Sequence, residues 1–427
     1  MSHDRSLTLH VPRSALWLLG FFILAPWLFV GGWLYFNSSA TPSPYRATSL
    51  SAATAPRATP AKADGKPSDV LKCQPGAWGD LEYFRTLIEP PEEYILPDFT
   101  VPATQPWIFK GYTPAKLTEL WDSAALTPVQ RRALDRPDRQ QATADAITVR
   151  TDDEIIMSLS PISRAKIYTA LSEFPENVPQ SNPYRLRTEF RSDWLAFAEL
   201  SDAAIALTHQ MFYDRGITTC FSDYNIVLSS LPTPGERFRY VKALSRKSAL
   251  IVQLTIAPGT DISVLDRYWG RGRRSKDITP ILQSIARRPN GGSIDIIHLL
   301  PPFARTHLNT YPLPSDRPED VNRDCHWASF NFFRETPDER FNQISHIRET
   351  LANDYFPVLG EPAMGDIIML VRQDGTVVHS CVYIADNIVF TKNGPAFSVP
   401  WLLASLDSVV AYYAAGQPVD LRRYRTK

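Results

Sequence analysis

A chain of 427 residues with 44% hydrophobic and 21% charged side chains is neither a disordered polymer nor a polytopic membrane protein. It is too long for one ordinary core, so two or three units are expected. Its 45 basic and 45 acidic residues cancel, which excludes a global attraction to nucleic acid and leaves any charged partner to local recognition.

Residues 1–14 carry Arg5 and Arg13 and precede an uncharged run, ALWLLGFFILAPWLFVGGWLYF, from Ala15 to Phe36. About 20 apolar residues cross a bilayer. Trp17, Trp27, Trp33 and Tyr35 suit its interfaces, and Pro26 would kink such a helix without preventing a span. The cations lie before the run and the next one, Arg46, well after it. The expectation is a single-pass anchor at 15–36 in the cytoplasmic (inner) membrane, with 1–14 inside and all later domains periplasmic or extracytoplasmic. A cleaved signal peptide is the rival reading, but its apolar region usually spans only about 7–15 residues. Residues 37–72, rich in Ala, Ser, Thr and Pro, cannot bury a core and read as a tether.

From 73 to 297 a mainly helical domain is expected. Thr113–Arg136, Asp152–Phe174 and Ser192–Gly216 carry apolar residues at three- and four-residue spacing, the last capped by Ser192 and stopped by Gly216. Ser248–Ile256 is β-branched enough for a strand or a buried helix end. Tyr268–Asp277 gathers Arg271, Arg273, Arg274 and Lys276. An anionic polymer or lipid headgroup would suit them, although charge runs are usually solvated faces. Gly270 and Gly272 lack the lysine and hydroxyl residue of a P-loop. His298 and His307 have no companions at ligand spacing, so no metal is expected. Of the four cysteines, Cys73 with Cys220 is the expected structural disulfide, leaving Cys325 and Cys381.

Residues 298–427 change to an α+β grammar. CHWASFNFFRE reads as a short helix capped by Asn322 or Asp324, with Trp327, Phe330 and Phe333 turned to a core. Cys325 would then occupy the first turn, where the dipole favours a thiolate. Gly365–Arg372 and Thr376–Ile384 read as strands joined by a Gln373–Gly375 turn, and alternation puts Val377, His379, Cys381 and Tyr383 on one face. A third strand, Ile388–Gly394, follows. A three-residue loop, Ala385-Asp386-Asn387 with Asn387 left-handed, pairs Ile384 with Ile388 and brings Asn393 opposite His379. A two-residue loop, Asp386-Asn387, pairs Ser380 with Asn393 instead. Ser398–Gly416 reads as a closing helix, too short and too charged at Asp407 for a second span.

Asp324-Cys325 at a helix start, Gly365-Asp366 opening a strand, His379 with Tyr383 four residues on, and a polar residue on the next strand together resemble the NlpC-type cysteine peptidases. The likeness covers about the last quarter of the chain. It implies a papain-like α+β domain with a small antiparallel sheet that cleaves peptide bonds in bacterial peptidoglycan. Cys325 would be nucleophile and His379 base. The third polar position falls by spacing on Thr391, with Asn393 two residues further on the same face. Tyr311 matches a tyrosine that helps form the oxyanion site. His326 and Trp327 replace the Ser-Gly that follows the family's cysteine, and the glycine pair upstream is absent. The expected activity is thiol acyl transfer on envelope amides, with no cofactor, no metal and no nucleic-acid partner. Two alternatives stay open: a papain-like lipid acyltransferase or amidase, and a non-catalytic envelope scaffold with Cys325 in a disulfide to Cys381.

Overall fold

Ser/Thr-Pro steps explain much of the proline excess. Helices Pro114–Ser123, Pro128–Leu134, Pro161–Leu171 and Pro234–Leu244 each begin on such a step, and in each the hydroxyl accepts the backbone N–H three residues on. Proline fixes φ for the first turn, where its missing N–H would have been unpaired in any case.

The computed structural model describes residues 70–95, 101, 103–313, 323–414 and 418–427. The expected anchor at 15–36 and the tether up to residue 69 lie outside them. Among the described residues no helix is long and apolar enough to cross a membrane. The tether ends earlier than expected, because Leu71–Lys72 is already a strand, β1, paired with β2, Asp80–Ile88.

After β2 the chain enters a region with its own core, from Trp107 to Leu244. Two three-stranded antiparallel sheets accompany its helices. β3 (Trp107–Lys110), β4 (Gln140–Ala142) and β5 (Ala146–Val149) run in the order β3-β5-β4. β6 (Tyr184–Arg187), β7 (Tyr213–Arg215) and β8 (Thr218–Phe221) run in the order β6-β8-β7. The expected helix Ser192–Gly216 is only Asp202–Gln210, capped by Ser201. Phe197 and Glu199 have positive φ, a conformation a helix cannot contain.

β9 (Lys247–Ile256) then returns along the whole of β2, with Lys247 opposite Ile88, and β10 (Gly292–Asp295) adds to its far side. These strands do not belong to a separate helical domain, as the boundary at 297/298 supposed. Leu81, Val252 and Leu254 share one core with Trp327, Val382 and Leu403 of the C-terminal part. The described residues of 73–297 are therefore α+β, and the middle core is an insertion between two paired strands.

The last sheet has six strands: β11 (Tyr355–Pro357), β12 (Ile367–Arg372), β13 (Val377–Ala385), β14 (Ile388–Lys392), β15 (Trp401–Ser405) and β16 (Val419–Thr426). Their order is β11-β16-β12-β13-β14-β15, every pair antiparallel. One face packs on the helix Cys325–Phe330 through Trp327 and Phe330. The other packs on Ile88, Tyr94, Ala249 and Tyr311. The expected closing helix Ser398–Gly416 is half strand: Trp401–Ser405 is β15 and only Leu406–Ala414 is helical. Trp401 and Leu403 face one core and Leu402 and Ala404 the other, so an apolar run here reflects burial on both faces and carries no period.

Cys73 and Cys220 are not paired, and all four cysteines are free thiols. Cys220 is buried in the inserted core while Cys73 packs against the main one. The basic run at 271–276 is partly structural: Arg274 is buried and donates to the carbonyls of Leu299 (2.9 Å) and Trp269 (2.6 Å). His307 is packed between Phe303 and Trp401, with Nδ1 2.8 Å from the Phe303 carbonyl. Gly365 adopts φ +94, and a Cβ there would collide with the Phe333 ring. Asp366 beside it is 0% exposed; it accepts the Ala363 N–H and pairs with Arg425 at 2.7 Å on each oxygen.

Candidate active site

Asp324 caps the helix that carries Cys325. Its Oδ1 accepts the N–H groups of His326 (2.8 Å) and Trp327 (3.0 Å), while Asn322, the other expected cap, lies outside the described residues. Capping and the buried Trp327 anchor fix the first turn. Cys325 is 6% exposed, and its thiol is pushed up to about 12, first by burial and then by the Asp324 carboxylate. Backbone N–H groups of Ser380, His326 and Cys325 itself pull the other way without prevailing. The expected activation by the helix tip is thus reversed: in a six-residue helix, desolvation and a capping anion outweigh the dipole.

The Ser380 N–H among those donors places the Cys325 sulfur against β13, near Cys381. The Cys381 thiol is likewise raised, by burial and then by Cys325. The two thiols are neighbours with no disulfide between them.

His379 sits on β13 opposite Leu370 of β12. The β13–β14 connection combines both registers read from the sequence. A tight turn at Asp386-Asn387 pairs Ala385 with Ile388, and an irregularity then restores Tyr383↔Val389 and Val382↔Phe390. The left-handed residue is Asp386, φ +47, rather than Asn387. Continued along the strands, this register is the one expected of the longer loop, with Thr391 beside Cys381. The partner of His379 is Thr391, however: His379 Nε2 lies 2.9 Å from Thr391 Oγ1, and the threonine hydroxyl donates to Asn393 Oδ1 at 3.3 Å. Asn393 acts one step further out than expected.

This chain of hydrogen bonds favours one tautomer. The Thr391 hydrogen is used on Asn393, so its oxygen accepts from His379 Nε2–H, and Nδ1 keeps a lone pair. Nδ1 is buried and has no hydrogen-bond partner. Burial, then the neighbouring His326, hold the imidazole well below its usual range, so it is neutral. The Tyr413 ring stacks on it at 4.1 Å and 17°. Tyr413 itself is raised by burial and then by Cys325.

Four participants escaped the sequence reading. His326 Nδ1 lies 2.8 Å from Ser380 Oγ, Ser380 donates to Ser329 Oγ at 3.1 Å, and Ser329 donates to the Cys325 carbonyl at 2.8 Å. This second network holds the cysteine's own peptide. Lys392 is wholly buried, its amine donating to the carbonyls of Gly394 (2.6 Å) and Ala396 (3.0 Å). Burial brings it down to about 7 against the opposing influence of Asp324 and Cys325. Alternation could have put Ser380 and Lys392 on one face, but nothing in the sequence marked that face as the one bearing the helix.

Tyr311 makes no hydrogen bond to the thiol among the described residues. It is buried with Cys381 in the core on the other face, its ring meets Tyr94 edge-on at 6.0 Å, and its hydroxyl has no hydrogen-bond partner. Donor atoms of Asp324, Cys325 and His326 lie within 4.8 Å of one another. Asp324 Oδ1 is used in capping and His326 Nδ1 on Ser380, which leaves Asp324 Oδ2, His326 Nε2 and the Cys325 sulfur as the donors a metal ion would need.

At rest the thiol and the imidazole are both neutral and no hydrogen bond joins them, so His379 Nδ1 is free to accept a proton. Compared with known proteins, the chain matches no family model, no curated protein and no solved structure.

Proposed function

We propose that the protein is a cysteine hydrolase of the cell envelope, of papain-like NlpC type in its C-terminal part, acting on amide bonds of peptidoglycan peptides. The observation that carries this reading is the unpaired, buried Nδ1 of His379, with its ring fixed on the far side by Thr391 and Asn393 and the Cys325 thiol packed against the same strand. A buried lone pair without a partner costs free energy, and a base awaiting a proton is a physical reason to keep one.

In the reaction, His379 Nδ1 takes the thiol proton as the sulfur attacks the amide carbonyl carbon. The C–N bond then breaks, and the proton passes from Nδ1 to the leaving amine. Water, deprotonated by the same nitrogen, attacks the thioester and releases the acid and the thiol. Because the resting pair is neutral and desolvated, proton transfer accompanies attack instead of preceding it. The Cys325 N–H is the available oxyanion donor, and the Lys392 amine, brought down to about 7, lies near the sulfur. An anchor at 15–36 and a tether beyond it would hold the domain within reach of the wall.

Digestion of purified peptidoglycan by wild type, Cys325→Ala and His379→Gln, with products identified by mass, tests the proposal. New amine and carboxyl termini are expected with wild type only. Identical product profiles for all three proteins sink the hydrolase reading for this substrate.

A further inference from the structure

A cavity of about 420 Å³ lies between the inserted region and the C-terminal sheet, within the size range of small-molecule sites. Arg185 and Arg187 of β6 and Lys247 at the start of β9 line it, and no Asp or Glu does. Arg187 is answered by Glu189, 3.0 Å away, which is not part of the lining. Among the described residues Arg185 has no carboxylate partner. Its Nη atoms donate to the Tyr412 and Ser181 carbonyls, each at 3.2 Å, and its buried Nε has no partner. Lys247 Nζ makes neither a hydrogen bond nor an ion pair among the described residues. Burial and the nearby Arg185 bring its ammonium down to about 8.

Two half-buried cations that line one cavity, close enough to repel and with no carboxylate in the lining, form a positive pocket suited to an anion. The rest of the lining suits an organic body. The Arg185 guanidinium lies over the Tyr412 ring at 4.8 Å, and Tyr184 meets Tyr224 edge-on at 5.5 Å.

We propose that this cavity binds a small organic dianion, its two negative charges met by Arg185 and Lys247 and its body laid against Tyr184 and Tyr412. A phosphate monoester and a dicarboxylate share that chemistry, since the guanidinium fork and the ammonium serve either. The site stands whether or not Cys325 is a nucleophile, yet it touches the candidate active site twice. Asn393 lines the cavity and accepts from Thr391, and Tyr412 precedes the Tyr413 that stacks on His379. A bound anion would therefore bear on the residues that orient the imidazole.

Calorimetric titration of the full chain with phenyl phosphate and with succinate, at ionic strength matched with chloride, tests this. Saturable one-to-one binding by either is expected, weakened about tenfold or more in Lys247→Gln and in Arg185→Gln. Lys247→Gln loses no native hydrogen bond, so its unfolding temperature should not fall; Arg185→Gln is the second, independent variant. Saturation by phenyl phosphate alone assigns a phosphate ester, and by succinate alone a dicarboxylate. Failure of both to saturate by about 10 mM, or equal affinity in wild type and both variants, overturns the proposal.

Discussion

Replacing Thr391 by valine tests the hydrogen-bonded chain on which the tautomer of His379 depends. The side chain keeps its branching and nearly its volume, but the oxygen that accepts from His379 Nε2 at 2.9 Å is lost. The imidazole is 0% exposed, so water cannot replace that oxygen, and an orphaned N–H in such a place costs about 1–3 kcal/mol. Asn393 is only half-buried and can turn to solvent, so its loss adds little. Thr391→Ser keeps the oxygen and sacrifices one methyl, about 0.8 kcal/mol. Urea denaturation of wild type, Thr391→Val and Thr391→Ser measures the cost. Nitrogen-15 NMR of the histidines reads which ring nitrogen carries the proton. The Nε2–H form is expected in wild type and in Thr391→Ser and lost in Thr391→Val, together with most peptidoglycan cleavage. If Thr391→Val keeps the Nε2–H tautomer and its stability stays within about 0.5 kcal/mol of wild type, Thr391 does not hold the ring and the argument for a waiting Nδ1 fails.

The Asp366–Arg425 pair and the buried histidines give two further predictions. Arg425→Leu leaves the Asp366 carboxylate buried and unpaired and should cost about 3 kcal/mol, the low end for such pairs because Arg425 is partly exposed. The double variant Asp366→Leu/Arg425→Leu should recover most of that, and a loss below about 1 kcal/mol in Arg425→Leu would show the pair to be solvated. Burial depresses His379, His326 and His307, so the unfolded chain binds protons that the folded one refuses. Stability is then full above the unfolded histidine value of about 6.5 and falls as pH drops from there through the depressed folded values. Urea midpoints measured from neutral to acid pH should show this decline, with a shallower slope in His379→Gln; superimposable slopes would contradict it.

What could be read from the sequence was local. The cap at Asp324, the first-turn position of Cys325 and the β12–β13 hairpin follow from a carboxylate before an apolar helix and a Gln-Asp-Gly turn between apolar strands. Thr391 and Asn393 were both identified, but their division of labour depends on an irregularity near Ile384 that no pattern specifies. β15 was hidden because a strand covered on both faces loses its period. Cys325 is not activated by its helix tip for a related reason: the dipole can be read from sequence, whereas burial depends on segments that pack there from far along the chain. His326, Ser380 and Lys392 have no distinguishing neighbours and acquire roles only through that packing.

The pairing of β2 with β9 also bears on the order of folding. Ile88 lies opposite Lys247, and just beyond them Arg246 Nε donates to Glu89 at 2.7 Å across a sequence separation of 157 residues. An unstructured loop of that length is entropically costly to close, and contacts across it form late. Condensation of the inserted core first would shorten the effective loop to the few residues at its ends. The insertion would then act as a folding clasp for the sheet that encloses it, and a lesion deep in that insertion, remote from Cys325, would surface as slow assembly of the C-terminal part.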